Sequence, residues 1–393
     1  MVGMNRRRFL SGAGAAGALC VLGDAGAAAL FDAPAKNDYQ VGAYYFPQWH
    51  RDRHNDRLYG KGWTEWGVLK AAKPHFPGHR QPRVPAWGYL DEADPKVMEM
   101  KIDAAADNGV DFWIFDWYWN EKYRHLYRAL ELGYYGAKNN DRVKFCCMWA
   151  NHDLGSDTGC VSRKTFDSIT DLVTEKYFRH PSHYKIDGRP YFSIYDLGKF
   201  LGSFKDVRET KSAIVEFRQK TKAAGLPDLH LNVIVQGPRP PDFRGAVKLI
   251  EDLGFDSVTS YVWVHHAAMP DFPETEYNYM RDRYFEYWDS IKKDFKIPYF
   301  PNATMGWDAS PRTDQSKEFA QGTYPYTPVL KNNSPEAFGE ALRMTKRRLD
   351  KRRGPKIVTI NAWNEWTEGS YLEPDTVQGM RYLKAIREVF GVR

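Results

Sequence analysis

The chain has 393 residues, 42% of them hydrophobic and 27% charged, which supplies a large core and excludes a disordered or low-complexity polypeptide. Its net charge of +6, spread without long Lys/Arg runs and falling to +4 without the first 30 residues, argues against a nucleic-acid partner. Aromatic residues make up 15% of the chain, with 13 Trp, 24 Tyr and 22 Phe, more than core filling needs and common where flat sugar rings are stacked.

The chain opens with Asn5-Arg6-Arg7-Arg8-Phe9-Leu10, a weakly apolar Gly/Ala-rich stretch to Leu30, and the small-residue run Gly26-Ala27-Ala28-Ala29. Charged, apolar and small segments in that order resemble a twin-arginine signal over residues 1–30. The pattern predicts passage through export machinery for folded proteins and a periplasmic or secreted location. Beyond it no run approaches the roughly 18 apolar residues that span a bilayer, so no stable membrane insertion is expected after signal cleavage. Leu19 before Cys20 is poor for lipoprotein processing, so a lipid anchor is not expected. Of the remaining cysteines, Cys146, Cys147 and Cys160, none is required in a disulfide, and Cys146 to Cys160 is an optional pairing.

Short β-branched and aromatic runs then recur eight times, at 41–46, 110–117, 143–149, 190–195, 231–235, 257–263, 298–304 and 356–363. Between them lie segments with helical spacing, at 95–108, 122–135, 166–178, 212–224, 244–254, 276–294 and 334–351. Asn108-Gly109 and Gly254 stop two of these helices just before a strand. Eight continuous apolar strands, with a helix in each of the seven intervals between them, predict an α/β fold: a single (β/α)8 TIM barrel within 31–393, with no linker dividing it. The competing doubly wound sheet wants a Gly-rich phosphate turn after the first strand, and none is present. Two long irregular βα loops, 47–95 and 306–333, are predicted to cover the C-terminal face, where barrel enzymes keep their sites.

The strongest site signal runs off the eighth strand: Ile360-Asn361-Ala362-Trp363-Asn364-Glu365-Trp366-Thr367-Glu368-Gly369. Glycosidic cleavage needs one carboxylic acid for the leaving oxygen and a second carboxylate in different surroundings. Glu365 and Glu368 supply both at a strand end. The competing reading makes one a surface Glu and the other an ion-pair partner.

At this point the chain resembles the glycoside hydrolase family 99-like proteins, also known as the WbsX-like glycosyltransferase family. The matching stretches are Tyr44-Tyr45-Phe46-Pro47-Gln48-Trp49-His50, Gly62-Trp63-Thr64-Glu65-Trp66, Gly78-His79-Arg80-Gln81-Pro82, Phe115-Asp116-Trp117-Tyr118-Trp119, Trp149-Ala150-Asn151-His152 and Asn364-Glu365-Trp366-Thr367-Glu368-Gly369-Ser370-Tyr371-Leu372-Glu373-Pro374. The resemblance implies a (β/α)8 barrel and, for the family's hydrolases, endo-acting retaining cleavage of α-mannosides without a metal or organic cofactor. It implies that Glu365 is the base that takes the proton of the sugar 2-hydroxyl, giving an anhydro-sugar intermediate. Glu368 is then the general acid, and later the base that activates water. The residues themselves leave direct attack by a carboxylate equally open. Thr367 stands where the mannosidases usually carry His, a departure that bears on specificity.

Further candidate sugar contacts follow from strand-end position and chemistry. Tyr45, Trp49, Trp117 and Trp149 offer stacking faces, and Trp63, Trp66, Trp363 and Trp366 flank the carboxylates. His50, Asp116, Asn151, His152, Gln236, Tyr261, Asn302 and Asn364 offer hydrogen bonds, although such groups also cap loops. Glu65 either meets the sugar from the opposite wall or pairs with Arg51, Arg53 or Arg80. His265-His266 and His152-Asp153 lack metal-ligand spacing, so no metal is expected. Three functions are weighed: an exported glycoside hydrolase acting on an oligo- or polysaccharide, a glycosyltransferase of surface-polysaccharide synthesis, and a carbohydrate-binding barrel without catalysis. Export counts against the second, because nucleotide-sugar donors are cytoplasmic.

Overall fold

The computed structural model describes residues 38–155 and 157–392; the predicted signal, residues 1–30, lies outside them. Eight parallel strand positions follow one another around a closed sheet: β1 (Tyr39–Tyr45), β2 (Phe112–Trp119), β3 (Lys144–Trp149), β4 (Arg189–Ile194), β5 (His230–Ile234), β6 (Ser257–Thr259), β7 and β8 (Lys356–Asn361). The seventh is in two pieces around Pro301. Tyr299–Phe300 pairs with β6, Asn302–Thr304 pairs with β8, and β8 pairs with β1, which closes the barrel. A proline lacks the N–H of a ladder bond, so the break falls where the chain changes partner. The carbonyl of Pro301 still accepts from Thr359 N at 2.9 Å.

All eight predicted strands are present, and continuous apolar sequence is matched by burial along nearly every strand residue. The barrel lumen is nonetheless partly polar. Ser193 Oγ donates to Asn232 Oδ1 at 2.8 Å, Asn232 Nδ2 donates to Ser257 Oγ at 2.9 Å, and Asn302 Nδ2 reaches Thr359 Oγ1 at 3.3 Å. Asn302 is therefore a satisfied lumen residue, fully buried below the mouth.

Helices Pro95–Ala106, Val207–Ala223, Phe243–Leu253, Tyr277–Ile291 and Pro335–Leu349 lie where the spacing predicts them, and 166–178 is covered by Arg163–Leu172 continued as a wider turn over Val173–Tyr177. The predicted helix 122–135 is a correction. Arg124–His125 instead folds back antiparallel onto the end of β2, and the coil starts only at Arg128, with wide π-type turns over Ala129–Tyr134. Tyr123 and the strand-end hydrogen bonds outweigh local propensity there. The three cysteines are free thiols, two of them buried, so the optional Cys146–Cys160 pairing is absent.

The long first loop is not structureless. It carries short helices Arg53–Tyr59 and Glu65–Ala71 and rests on a second apolar cluster, in which Phe46, Trp49, Trp66 and Leu69 meet Tyr118, Trp366 and Tyr371. This cluster roofs one side of the mouth. Gly133 sets how closely the π-type coil approaches the loop, because a Cβ there would lie 2.1 Å from the backbone oxygen of Glu92. Backbone cannot yield as a flexible side chain can, so Gly133→Ala is expected to destabilise the fold by about 1–3 kcal/mol in urea unfolding. An unchanged midpoint would show that the coil moves freely.

Candidate active site

The mouth is shaped by the exits of β1, β7 and β8. Trp363 N donates to Tyr44 O at 2.7 Å, and the Asn364 amide grips Phe46 twice, accepting from its N at 2.8 Å and donating to its O at 2.9 Å. The chain then doubles back, Asn364 opposite Tyr371 and Glu365 opposite Ser370, around the tight turn Trp366–Glu368. Gly369 closes the turn with φ +65°, and a Cβ there would come 2.6 Å from Asp308 Cβ. Only glycine fits both demands. The exit of β7 lies alongside, through Met305 N to Asn361 O at 3.0 Å and Asp308 N to Glu368 O at 2.6 Å.

That pairing delivers Arg312 to the carboxylates. Its Nη1 lies 2.5 Å from Glu368 Oε1, its Nη2 3.2 Å from Glu365 Oε2 and its Nε 3.1 Å from Glu65 Oε1. The guanidinium also sits 5.2 Å over the Phe46 ring. Glu65 pairs with Arg312, not with Arg51, Arg53 or Arg80, and also accepts from Thr367 Oγ1 at 2.9 Å. Tyr324 OH donates to Glu368 Oε1 at 2.9 Å. On the other side Tyr261 OH reaches Asp116 Oδ2 at 3.1 Å and Glu365 Oε1 at 3.4 Å.

Four buried acids thus surround one cation, and protons follow the imbalance. Burial first, and then the negative charge of Glu368, push the Glu365 carboxyl well above the usual carboxylate range. Burial does the same to Asp116, whose Oδ1 has no partner among the described residues. Burial works against the charge on Arg312, but Tyr324, Glu365, Glu368 and Glu65 outweigh it and hold the guanidinium ionised. The site therefore has two acids, Glu365 and Asp116, whose protonated forms burial favours, beside Glu368, which Arg312 and Tyr324 hold in place.

These groups line a cavity of about 1350 Å³ that contains eight of the predicted site residues: Trp63, Glu65, Asp116, His152, Gln236, Tyr261, Glu365 and Glu368. The others do not line it. Tyr45 is turned away from the cavity into the core, 3.3 Å from Lys101 Nζ. His50 holds Glu92 at 2.9 Å, and the same Glu92 oxygen accepts from Trp49 N at 2.8 Å. Trp66, Trp117 and Trp149 spend their indole N–H groups on Leu90 O, Tyr177 OH and Trp119 O. Asn151 exchanges two 2.8 Å bonds with the backbone of Asp196. Trp363 is core, Asn364 is the clamp on Phe46, and Trp366 lies 3.8 Å from the Tyr371 ring. Strand-end polar and aromatic residues here mostly tie loops to the barrel.

Sequence reasoning passed over Arg312, Tyr118, Tyr195, Trp307 and Tyr324, which also line the cavity. It also passed over the hold on the β7 exit. Asp308 accepts from Gln81 Nε2 at 2.7 Å and Ser310 Oγ at 2.6 Å, and meets His79 Nε2 at 3.0 Å. Burial raises the Asp308 carboxyl, but His79, Arg83 and Ser310 outweigh it and hold it at about 2. The Gly-His-Arg-Gln-Pro stretch is thus the anchor of the loop that carries Arg312. Glu373 similarly ties Trp366 Nε1, at 2.8 Å, to the buried Lys101, at 2.7 Å.

Both perturbed acids lend themselves to stability measurements. The folded value of Glu365 is raised, so its stabilising neutral form is complete below about pH 4 and is lost as pH rises through the folded value. Glu365→Gln stays uncharged, so its melting temperature is expected to match the parent near pH 4 and to exceed it by a few degrees at roughly pH 7–8. Equal melting temperatures throughout would contradict the assignment. The folded value of Asp308 is depressed, so its contribution is complete above about pH 4 and fades toward about pH 2. Asp308→Ala is expected to cost about 3–5 kcal/mol at neutral pH, measured by denaturant unfolding.

Among known proteins, the family model described as glycosyltransferase WbsX matches residues 41–386. The "Uncharacterized protein WxcX" of two strains of Xanthomonas campestris pv. campestris is 26% identical over 376 residues, covering 88% of this chain and 49% of each relative. The chain therefore spans about half the length of these curated relatives. Among solved structures, a "Glycoside hydrolase-like protein" matches with TM-score 0.62 at 16% identity, over 94% of this chain and 98% of that one. The GH99 endo-alpha-mannosidase of Bacteroides thetaiotaomicron matches with TM-score 0.54 at 16% identity, over 90% and 96%. These structural likenesses establish the TIM-barrel fold shared with glycoside hydrolases. With all but the first two residues of the barrel strands and both exit loops inside the matched region, the chain belongs to the WbsX family.

Proposed function

We propose that the protein is an exported glycoside hydrolase that cleaves an oligo- or polysaccharide with retention, with α-mannosides as the first substrates to try. The observation that carries this reading is the Arg312 hub. It fixes Glu365 and Glu368 side by side on the wall of a large cavity, with the Glu365 carboxyl pushed well above the usual range by burial and by Glu368. Acid and base in one pair are what glycosidic cleavage needs. The α-mannoside choice rests on the motif resemblance and on the endo-alpha-mannosidase whose fold the chain shares.

Burial and the charge of Glu368 favour the proton on Glu365, the residue that the resemblance makes the base. That assignment requires the proton to pass to Glu368 as a sugar hydroxyl meets Glu365. Glu365→Gln and Glu368→Gln separate the roles. Each is expected to lower kcat on a natural glycan by roughly 10²–10⁴. On an aryl glycoside with a good leaving group, the variant of the general acid recovers its first step and the variant of the base does not. Unchanged turnover in both, with glycan binding kept, would replace hydrolysis by a binding role.

A second reading is favoured by the family's description as glycosyltransferases: the same pair passes the sugar to an acceptor hydroxyl instead of water. Product analysis with a glycan donor, with and without acceptor oligosaccharide, separates the two. Export is supported by Asn5-Arg6-Arg7-Arg8-Phe9-Leu10. Replacing Arg6 and Arg7 together by Lys is expected to keep the folded chain in the cytoplasm in cell fractionation, and continued export would count against the twin-arginine route.

A further inference from the structure

Away from the cavity, six of the eight residues 346–353 are Lys or Arg. They fall at the end of the helix Pro335–Leu349 and just beyond it, beside the end of Tyr277–Ile291. These two helices lead into β7 and β8, so their C-terminal ends lie at the N-terminal ends of the strands, on the barrel face opposite the mouth. Between them is a groove of about 490 Å³ lined by Lys292, Arg347, Arg348, Lys351 and Arg352, with Asp289 as its one acid. Trp288 forms part of the wall, and its indole N–H is buried with no partner among the described residues.

Basic residues at helix C-termini ordinarily offset the helix dipoles. Two such ends amount to about one negative charge in total. Asp289 adds another, and Glu340, which pairs with Arg347 at 2.8 Å, a third. Five cations still leave a surplus of about two charges. The surplus has an address. Lys292 and Arg348 share Asp289 at 2.6 and 3.3 Å, whereas Lys351 and Arg352 have no carboxylate within ion-pair distance among the described residues. Arg352 is half-buried, donates Nη1 to Tyr299 O at 2.8 Å, and burial pulls its guanidinium below the usual value. Arg348 lies over Phe285 at 4.3 Å and Trp288 at 5.9 Å, so its fork is already oriented.

A part-buried cation without a counter-charge is costly unless an anion completes it. Guanidinium forks beside a lysine suit the several oxygens of a phosphate group, the Arg forks pairing two oxygens at a time and the Lys acting as a point charge. We propose that this groove is a second binding site, for a small phosphorylated ligand, with Lys351 and Arg352 supplying the uncompensated charge and Arg348 the oriented fork. The site is separate from the carboxylate cavity and does not rest on the hydrolase reading.

Calorimetry on the full chain with inorganic pyrophosphate, and in parallel with inorganic phosphate, tests it at low and moderate salt. Saturable binding is expected, tighter for pyrophosphate and weaker as salt rises. Lys351→Glu, at an exposed position, is expected to weaken it at least about tenfold, or roughly 1.4 kcal/mol, and Lys211→Glu on a different helix to leave it unchanged. Arg352→Gln is expected to weaken it as well, and Lys351→Glu decides the matter if Arg352→Gln does not fold. No saturable binding of pyrophosphate at about 1 mM, or equal binding by Lys351→Glu and the parent, overturns the proposal. A third arm uses phosphatidylglycerol vesicles. Cosedimentation abolished by Lys351→Glu, with no pyrophosphate bound, also overturns it and gives the groove to an anionic lipid surface.

Discussion

One guanidinium decides the shape of the carboxylate site. Glu65, Glu365 and Glu368 come from two segments distant in sequence and converge on Arg312, which stands between them. Two like charges about 4 Å apart cost several kcal/mol even at the intermediate dielectric of a protein surface, and more when buried. Without Arg312, three ionised carboxylates do not share this volume. With it, the three share one cation, and burial together with the neighbouring Glu368 favours the protonated form of Glu365. The electrostatics of the mouth is therefore a property of the arginine as much as of the acids.

The scaffold is arranged to keep that arginine in place. Its loop is sewn to the β8 exit by backbone bonds and held from beneath by Asp308, which His79, Gln81 and Arg83 surround. On the opposite flank Glu373 connects Trp366 to Lys101, carrying the position of the β8 exit to the helix before β2. Asn364 fastens the last strand to the first. Buried charge is spent here on orientation, with Asp308 and Glu373 each given a cation and further donors.

The barrel was legible because its signal is repeated: eight apolar runs of strand length, with helical spacing in the intervals between them, leave few other folds. The pair Glu365 and Glu368 was legible because it sits at a strand end among tryptophans. Arg312 was not, since an arginine in an irregular loop after Pro311 carries no periodicity and its three partners are 53 to 247 residues away in sequence. The same limit explains the residues that were placed at the mouth and proved to lie behind it. Strand-end position says how far along the barrel a side chain lies but not whether it points inward, and Tyr45, Trp117 and Trp149 point into the core. Residues 122–135 were misread because a helical pattern of side chains also suits a hairpin arm followed by a coil, once strand-end bonding has taken its first residues.

Thr367 carries a consequence for descent. Its hydroxyl supplies Glu65 with a neutral donor, and Arg312 supplies the charge. A lineage that replaces Thr367 by a side chain able to carry a proton relieves part of the load on the arginine, and one that loses the arginine must discard or protonate an acid in the same step. Positions 65, 312 and 367 are therefore physically coupled, and a change at one shifts the load on the other two, whereas the exposed rim residues Leu58 and Tyr59 stand outside this contact.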